Sequence, residues 1–189
     1  MSSYYQDQVI ENIDFQNIPF QQGEYDGCHF KHCNFQEIAL TGVILVDCVF
    51  TDCNLSMAKL NGTVLRDIRF ERCKLLGIQF EQCNPFGLSV YFENCLLDHA
   101  SFYECALNGT TFKASKLLGV DFSKANLTKA VFDHCDLAEA VFENCNLEQC
   151  DFTSSSNIQL DPNLNKMKKA IFSLHNLPGL LTRYQIKIR

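Results

Sequence analysis

The residues with the most chemical potential lie at Cys28-His29-Phe30-Lys31-His32-Cys33, where two thiols and two imidazoles fall within six positions. Two sulfurs and two ring nitrogens make an ordinary tetrahedral zinc set. The 189-residue chain holds eleven cysteines in all, so disulfide and nucleophilic chemistry must be weighed as well. The odd count, and an N-terminus without a basic flank and apolar run, predict reduced thiols in a soluble, cytosolic protein. No stretch of eighteen apolar residues suggests a membrane span. Nucleophilic catalysis needs Cys or Ser beside a base with access to substrate. His99, His134 and His175 have no recognisable partner, and no glycine loop that could cradle phosphate occurs.

What decides among these chemistries is where the cysteines point, and that depends on a repeat. A large apolar residue recurs every fifth position at Phe15, Phe20, Tyr25, Phe30, Phe35, Leu40, Leu45, Phe50, Leu55, Leu60, Leu65, Phe70, Leu75 and Phe80. The frame slips by two residues within 84–91 and resumes at Phe92, alternating Leu and Phe strictly to Phe152. A period of five suits neither a helix nor a flat strand, because either would rotate successive centres onto different faces. The chain must therefore turn a corner every five residues. Four such sides close a coil, and coils stacked at about 4.8 Å satisfy one another's backbone as in a parallel sheet. Each centre then points inward over its counterpart one coil away, Phe over Phe on two opposite sides and Leu over Leu on the others. The centres amount to about seven coils, roughly 35 Å of tube.

The slot two residues before each centre also faces inward and must be small. All eleven cysteines occupy it, from Cys28 and Cys33 to Cys145 and Cys150, with Ala125, Ala130, Thr110, Ser115, Val43 and Val120 among the other occupants. Free cysteine serves there as a small hydrophobe. This disperses the zinc set, since Cys28 and Cys33 point inward while His29 and His32 take outward slots. A disulfide between stacked Cys33, Cys53 and Cys73 is within reach of the coil spacing, but a cytosolic location favours thiols. With two inward side chains per side the interior has no room for a ligand. The expectation is a protein without metal, cofactor or catalytic residues, and not an enzyme.

The pattern of small residue, polar residue, Leu or Phe and two mostly polar residues, as in Ala125-Asn126-Leu127-Thr128-Lys129 and Ala140-Val141-Phe142-Glu143-Asn144, resembles the pentapeptide-repeat family. The resemblance runs over about residues 13–172 and implies an all-β fold, a right-handed quadrilateral parallel β-helix. The Asp161-Pro162 step, Ala170-Ile171-Phe172-Ser173-Leu174 and Leu177-Pro178-Gly179-Leu180-Leu181 with Tyr184 are similar to the end of the Qnr quinolone-resistance and topoisomerase-protection group. That group pairs tail to tail through this region, which implies a homodimer here through Phe172, Leu174, Leu177, Leu180, Leu181 and Tyr184. It also implies binding to DNA gyrase or topoisomerase IV, although the long projecting loops of its Gram-negative members are missing from this chain.

The organisation expected is an N-terminal cap at 1–12, a β-helix at 13–160 interrupted at 84–91, and a C-terminal cap and dimerisation segment at 161–189. Tyr4, Tyr5, Val9 and Ile10 are expected to cover the N-terminal end. Leu174, Leu177, Leu180, Leu181 and Tyr184 recur at helical spacing, predicting one short amphipathic helix over about 174–184 with Ser173 or Asn176 as N-cap. The closing 185–189 alternates as a short strand would. Pro85 and Gly87 make the interruption read as a bulge that bends the rod near its middle.

Charge divides the chain. Residues 1–160 carry 21 acidic and 10 basic side chains, net −11, whereas 161–189 carry one acidic and six basic, net +5. Asp133, Asp136, Glu139, Glu143, Glu148 and Asp151 all fall in outward slots with no Lys or Arg among them. A rod of negative potential can occupy a protein groove that normally holds DNA phosphates, and direct binding to nucleic acid is disfavoured. Arg66, Arg69, Arg72 and Lys74 read as solvated surface. The alternative to a topoisomerase-binding DNA mimic is a structural or interaction scaffold with no antibiotic role.

Overall fold

The computed structural model describes residues 3–187. Among these residues a square tube is wound from eleven short parallel strands: β1 (Ser3–Gln6), β2 (Val9–Glu11), β3 (Gly23–Asp26), β4 (His29–Lys31), β5 (Ile44–Val46), β6 (Val49–Thr51), β7 (Val64–Arg66), β8 (Ile68–Glu71), β9 (Val90–Glu93), β10 (Thr111–Lys113) and β11 (Val131–Asp133). The first side of the square is the ladder β1-β3-β5-β7, and the second is β2-β4-β6-β8-β9-β10-β11. The third and fourth sides are rows of single parallel bridges, such as Asn34 to Asn54 and Ser101 to Asp121.

The register is the one the period demands, with Phe30 opposite Phe50 and Phe50 opposite Phe70. On the second side the rings stack in parallel from Phe30 to Phe172, with centroids at offset-stacking distances, for example Phe112 on Phe132 at 4.9 Å and Phe152 on Phe172 at 5.1 Å. Phe80, Phe102, Phe122 and Phe142 form a second stack on the fourth side. The two stacks meet edge to face across the interior, as Phe112 and Phe122 do at 5.7 Å and 83°. Both geometries are favoured by the ring quadrupole, so one core uses each aromatic twice.

Most corners are made by the second residue after a centre, which takes the left-handed conformation: His32 (φ 50°), Asp47 (φ 50°), His99 (φ 58°), Lys124 (φ 59°) and their equivalents. That conformation costs an ordinary L residue about 1–2 kcal/mol. Gly42 (φ 70°) meets the requirement freely. Elsewhere the corner is held by rungs to the next coil, such as Lys124 N–H to the Glu143 carbonyl at 2.8 Å.

The small inward slot does more than fill space. Its side chain donates to the carbonyl of a centre one coil below: Cys53 to Phe30, Cys73 to Phe50 and Cys145 to Phe122, at 3.5, 3.3 and 3.0 Å. Thr63 does the same to Leu40 and Ser155 to Phe132, both at 2.7 Å. The slot therefore takes either a plain apolar filler, as at Ala125 and Val120, or a small side chain that also donates a hydrogen bond. Thr63→Val, which keeps the shape and loses the donor, should cost about 1 kcal/mol in chemical denaturation, with Thr63→Ser close to the parent.

Three expectations are corrected. β1 and β2 pair with β3 and β4, so the segment read as an N-terminal cap supplies two sides of the first coil. Tyr5 and Ile10 pack on the core while Tyr4 and Val9 face outward. Within 84–91 the extra residues leave the tube sideways and do not bend the stacked core: Phe70 lies on Phe92 at 5.3 Å and 10°, and Phe80 on Phe102 at 4.5 Å and 7°. The pairing simply jumps from twenty residues to twenty-two, with Ile68 opposite Val90. The cause is Pro85, which stands in the next centre slot and has no N–H for the rung that Leu107 and other centres donate to the coil above. Finally, the coils continue past 160, because Asn146 bridges Lys166 and Asp151 bridges Ile171.

Candidate interaction surfaces

The six acids of the 133–151 region all reach the surface, on different sides. Asp133 and Asp151 share the second side, where Val131 bridges Asp151; Asp136 is on the third, Glu143 on the fourth, Glu148 on the first, and Glu139 is the corner between third and fourth. Asp133 is braced by His134 Nδ1 at 2.6 Å and Ser154 Oγ at 3.0 Å, which together hold its carboxyl below the usual range. Asp136 accepts from Asn157 at 2.7 Å. Among the described residues Glu139, Glu143 and Glu148 form no ion pair. The result is a girdle of negative charge. The basic residues earlier on the tube are partly spent locally: Arg72 is bidentate to Asp52 at 2.9 Å and Arg69 lies 4.9 Å over the Tyr91 ring.

The expected helix over 174–184 is instead three short turns: a 3-10 turn at Leu174–Asn176, α1 (Leu177–Leu180) and a 3-10 turn at Thr182–Tyr184. The reason is the seat of Asn176. Its buried side chain donates to the Ser155 carbonyl of the last coil at 3.0 Å and accepts from the Ser173 N–H at 3.1 Å, which fixes the chain before a second helical turn can form. Pro178 follows at once in the first turn of α1. Phe172 and Leu180 pack on the core of their own chain and Leu181 is half-buried. Leu174 is 83% exposed, and Leu177 and Tyr184 also face solvent. Lys166, Lys168, Lys169, Arg183 and Lys187 in the same C-terminal stretch are exposed, with Arg183 bonded to Asp161 at 2.7 Å. Residues 185–187 form no strand, and 188–189 lie outside the described residues.

All eleven cysteines are free thiols and none is more than 7% exposed. Burial pushes Cys48, Cys105 and Cys135 up to about 12 and Cys145 up to about 11. Since the thiolate is the reactive form, a colorimetric thiol reagent should count none of the eleven in the native protein and all of them in denaturant. His29 faces outward and pairs with Thr51 Oγ1 at 2.8 Å, on the far side of the wall from Cys28 and Cys33. Among the described residues no three His, Cys, Asp or Glu side chains converge as metal ligands, and no helix is long and apolar enough to cross a membrane.

Comparison with known proteins agrees with this geometry. No curated protein matches the sequence. Among solved structures the chain is similar to trypsin-treated QnrB1, described as a plasmid-mediated fluoroquinolone resistance protein, at 22% identity and TM-score 0.56 over 99% of this chain and 92% of that one. It is also similar to HetL of the cyanobacterium Nostoc, described as involved in heterocyst differentiation regulation, at 17% identity and TM-score 0.59 over 90% and 86%. At such identities both likenesses speak to the fold alone. The family profile described as pentapeptide repeat region matches residues 24–85 and 88–161, stopping and restarting where the frame slips, and the chain belongs to the pentapeptide-repeat family.

Proposed function

We propose that this protein binds a bacterial type II topoisomerase, DNA gyrase or topoisomerase IV, in the cytoplasm and shields it from quinolones or other topoisomerase poisons by occupancy and not by chemistry. The observation that carries the reading is the net charge of −11 over residues 1–160 displayed on one continuous tube. Such a rod suits a groove whose cations normally meet DNA phosphates. Asp133, Asp136, Glu139, Glu143, Glu148 and Asp151 supply the contacts. The likeness in fold to a fluoroquinolone resistance protein supports it. DNA supercoiling by gyrase with ciprofloxacin present, with and without the protein, is the test. Restored supercoiling at micromolar protein is expected; no protection together with no gyrase binding overturns the reading.

The acting unit is a homodimer joined through the C-terminal end, where Leu174, Leu177 and Tyr184 offer an apolar face and Phe172, Leu180 and Leu181 form its support. A two-fold contact meets each substitution twice. Leu174→Glu should therefore give a folded monomer in sedimentation at tens of micromolar, and a parent protein already monomeric there ends the dimer proposal. A second reading, a scaffold without an antibiotic role, is favoured by one observation: the six acids ring the tube on four sides, whereas duplex phosphates run in two rows.

A further inference from the structure

The interruption leaves a notch in the wall. The first-side ladder ends at β7 and restarts only where Ala106 bridges Asn126. Asn126 and Asn146 donate their N–H groups to Cys105 and Ala125 at 2.9 and 3.0 Å, but Ala106 in the same position donates to no backbone carbonyl among the described residues. Beside that open amide lies a depression of about 380 Å³ whose floor is Leu88 and Cys105 and whose rim is Pro85, Glu81 and Glu104. Between Pro85 and Leu88 projects Phe86, 83% exposed, with its N–H held by the Asn84 side chain at 2.9 Å. Lys124 already pairs with Glu104 at 3.0 Å, whereas Glu81 has no ion pair among the described residues. Arg66 flanks the loop on its other side, next to Gly87.

From this juxtaposition we infer that the notch is a docking site for an arginine presented by an extended segment of a partner protein. The guanidinium stacks on the Phe86 face and meets the Glu81 carboxylate, its aliphatic stem covers Leu88 and Pro85, and the carbonyl beside it accepts the free Ala106 N–H. Arginine is favoured over lysine because a planar, weakly hydrated cation stacks on an aromatic ring and keeps its donors in plane. The cationic character follows from charge complementarity, since among the described residues no basic side chain lines the depression and the unpaired charge on its rim, Glu81, is negative. The site does not depend on the partner's being a topoisomerase, so failure of the supercoiling test leaves it standing.

The test is an amide NMR titration of the full chain with N-acetyl-arginine N-methylamide, set against the citrulline analogue, which has the same shape without the charge, and the glutamate analogue. Saturable shifts confined to Glu81, Phe86, Leu88 and Ala106 are expected, with Kd of about 1–10 mM, as suits one side chain. Glu81→Gln and Phe86→Ala should each weaken this at least about fivefold, roughly 1 kcal/mol. Both side chains are exposed, so unchanged melting temperatures separate loss of the site from loss of the fold. Equal shifts with citrulline, preference for glutamate, shifts spread along the acidic surface, or a Glu81→Gln titration identical to the parent's would each overturn the proposal.

Discussion

Replacing Phe122 by alanine is expected to lower the free energy of unfolding by about 3–5 kcal/mol. Phe122 is fully buried and stacks on Phe102 at 5.3 Å and Phe142 at 5.1 Å. It also meets Phe112 and Phe132 edge to face at 5.7 and 5.6 Å. The neighbours cannot close on the cavity, because each is pinned to its own coil by backbone rungs. The matched control is Asn108→Ala on an outward slot, with an expected change under about 0.5 kcal/mol. Lys124, two residues from Phe122, is unsuitable as a control because it bonds Glu104 and lies 4.9 Å over the Tyr103 ring. Equal losses for Phe122→Ala and Asn108→Ala in thermal or chemical denaturation would refute the inward assignment.

Gly179→Ala should release the C-terminal turns from the tube. A Cβ at this glycine would stand 1.8 Å from the Ile158 carbonyl oxygen and 2.9 Å from its carbon, both backbone of the last coil. The close approach is also where the Gly179 carbonyl accepts the Leu160 N–H at 3.3 Å. Backbone cannot yield as a flexible side chain would, so the strain is of the order of 1–3 kcal/mol or more, the range of overpacked cores. Limited proteolysis should then cut within 173–187 while the central coils remain resistant, and any C-terminal dimer should dissociate. A variant as protease-resistant as the parent at this end would show that α1 does not rest on Ile158.

Much of the architecture was legible in the chain because one period governs it. A centre every five residues with a small residue two before it is enough to derive inward and outward faces, coil stacking, the Phe columns and the burial of all eleven cysteines. The same frame separated Cys28 and Cys33 from His29 and His32 and so removed the zinc reading before any coordinates. Side-chain type also marked the six acids as surface, since their slots point outward by the register.

Tertiary structure decided what period alone cannot carry. It identified the corner as the second residue after most centres, because left-handed backbone shows in conformation while residues as different as His99, Lys124 and Gly42 all adopt it. It gave most of the cysteines in the slot a second role as donors, since the acceptor carbonyl lies one coil away in space. It broke the expected C-terminal helix into three turns, because the buried Asn176 to Ser155 bond outweighs the propensity of so short a segment. And it made of the Pro85 slip a notch with an exposed Phe86 and a free Ala106 amide: the missing proline N–H is written in the sequence, but where the displaced chain goes depends on which neighbouring coil can still accept its rungs.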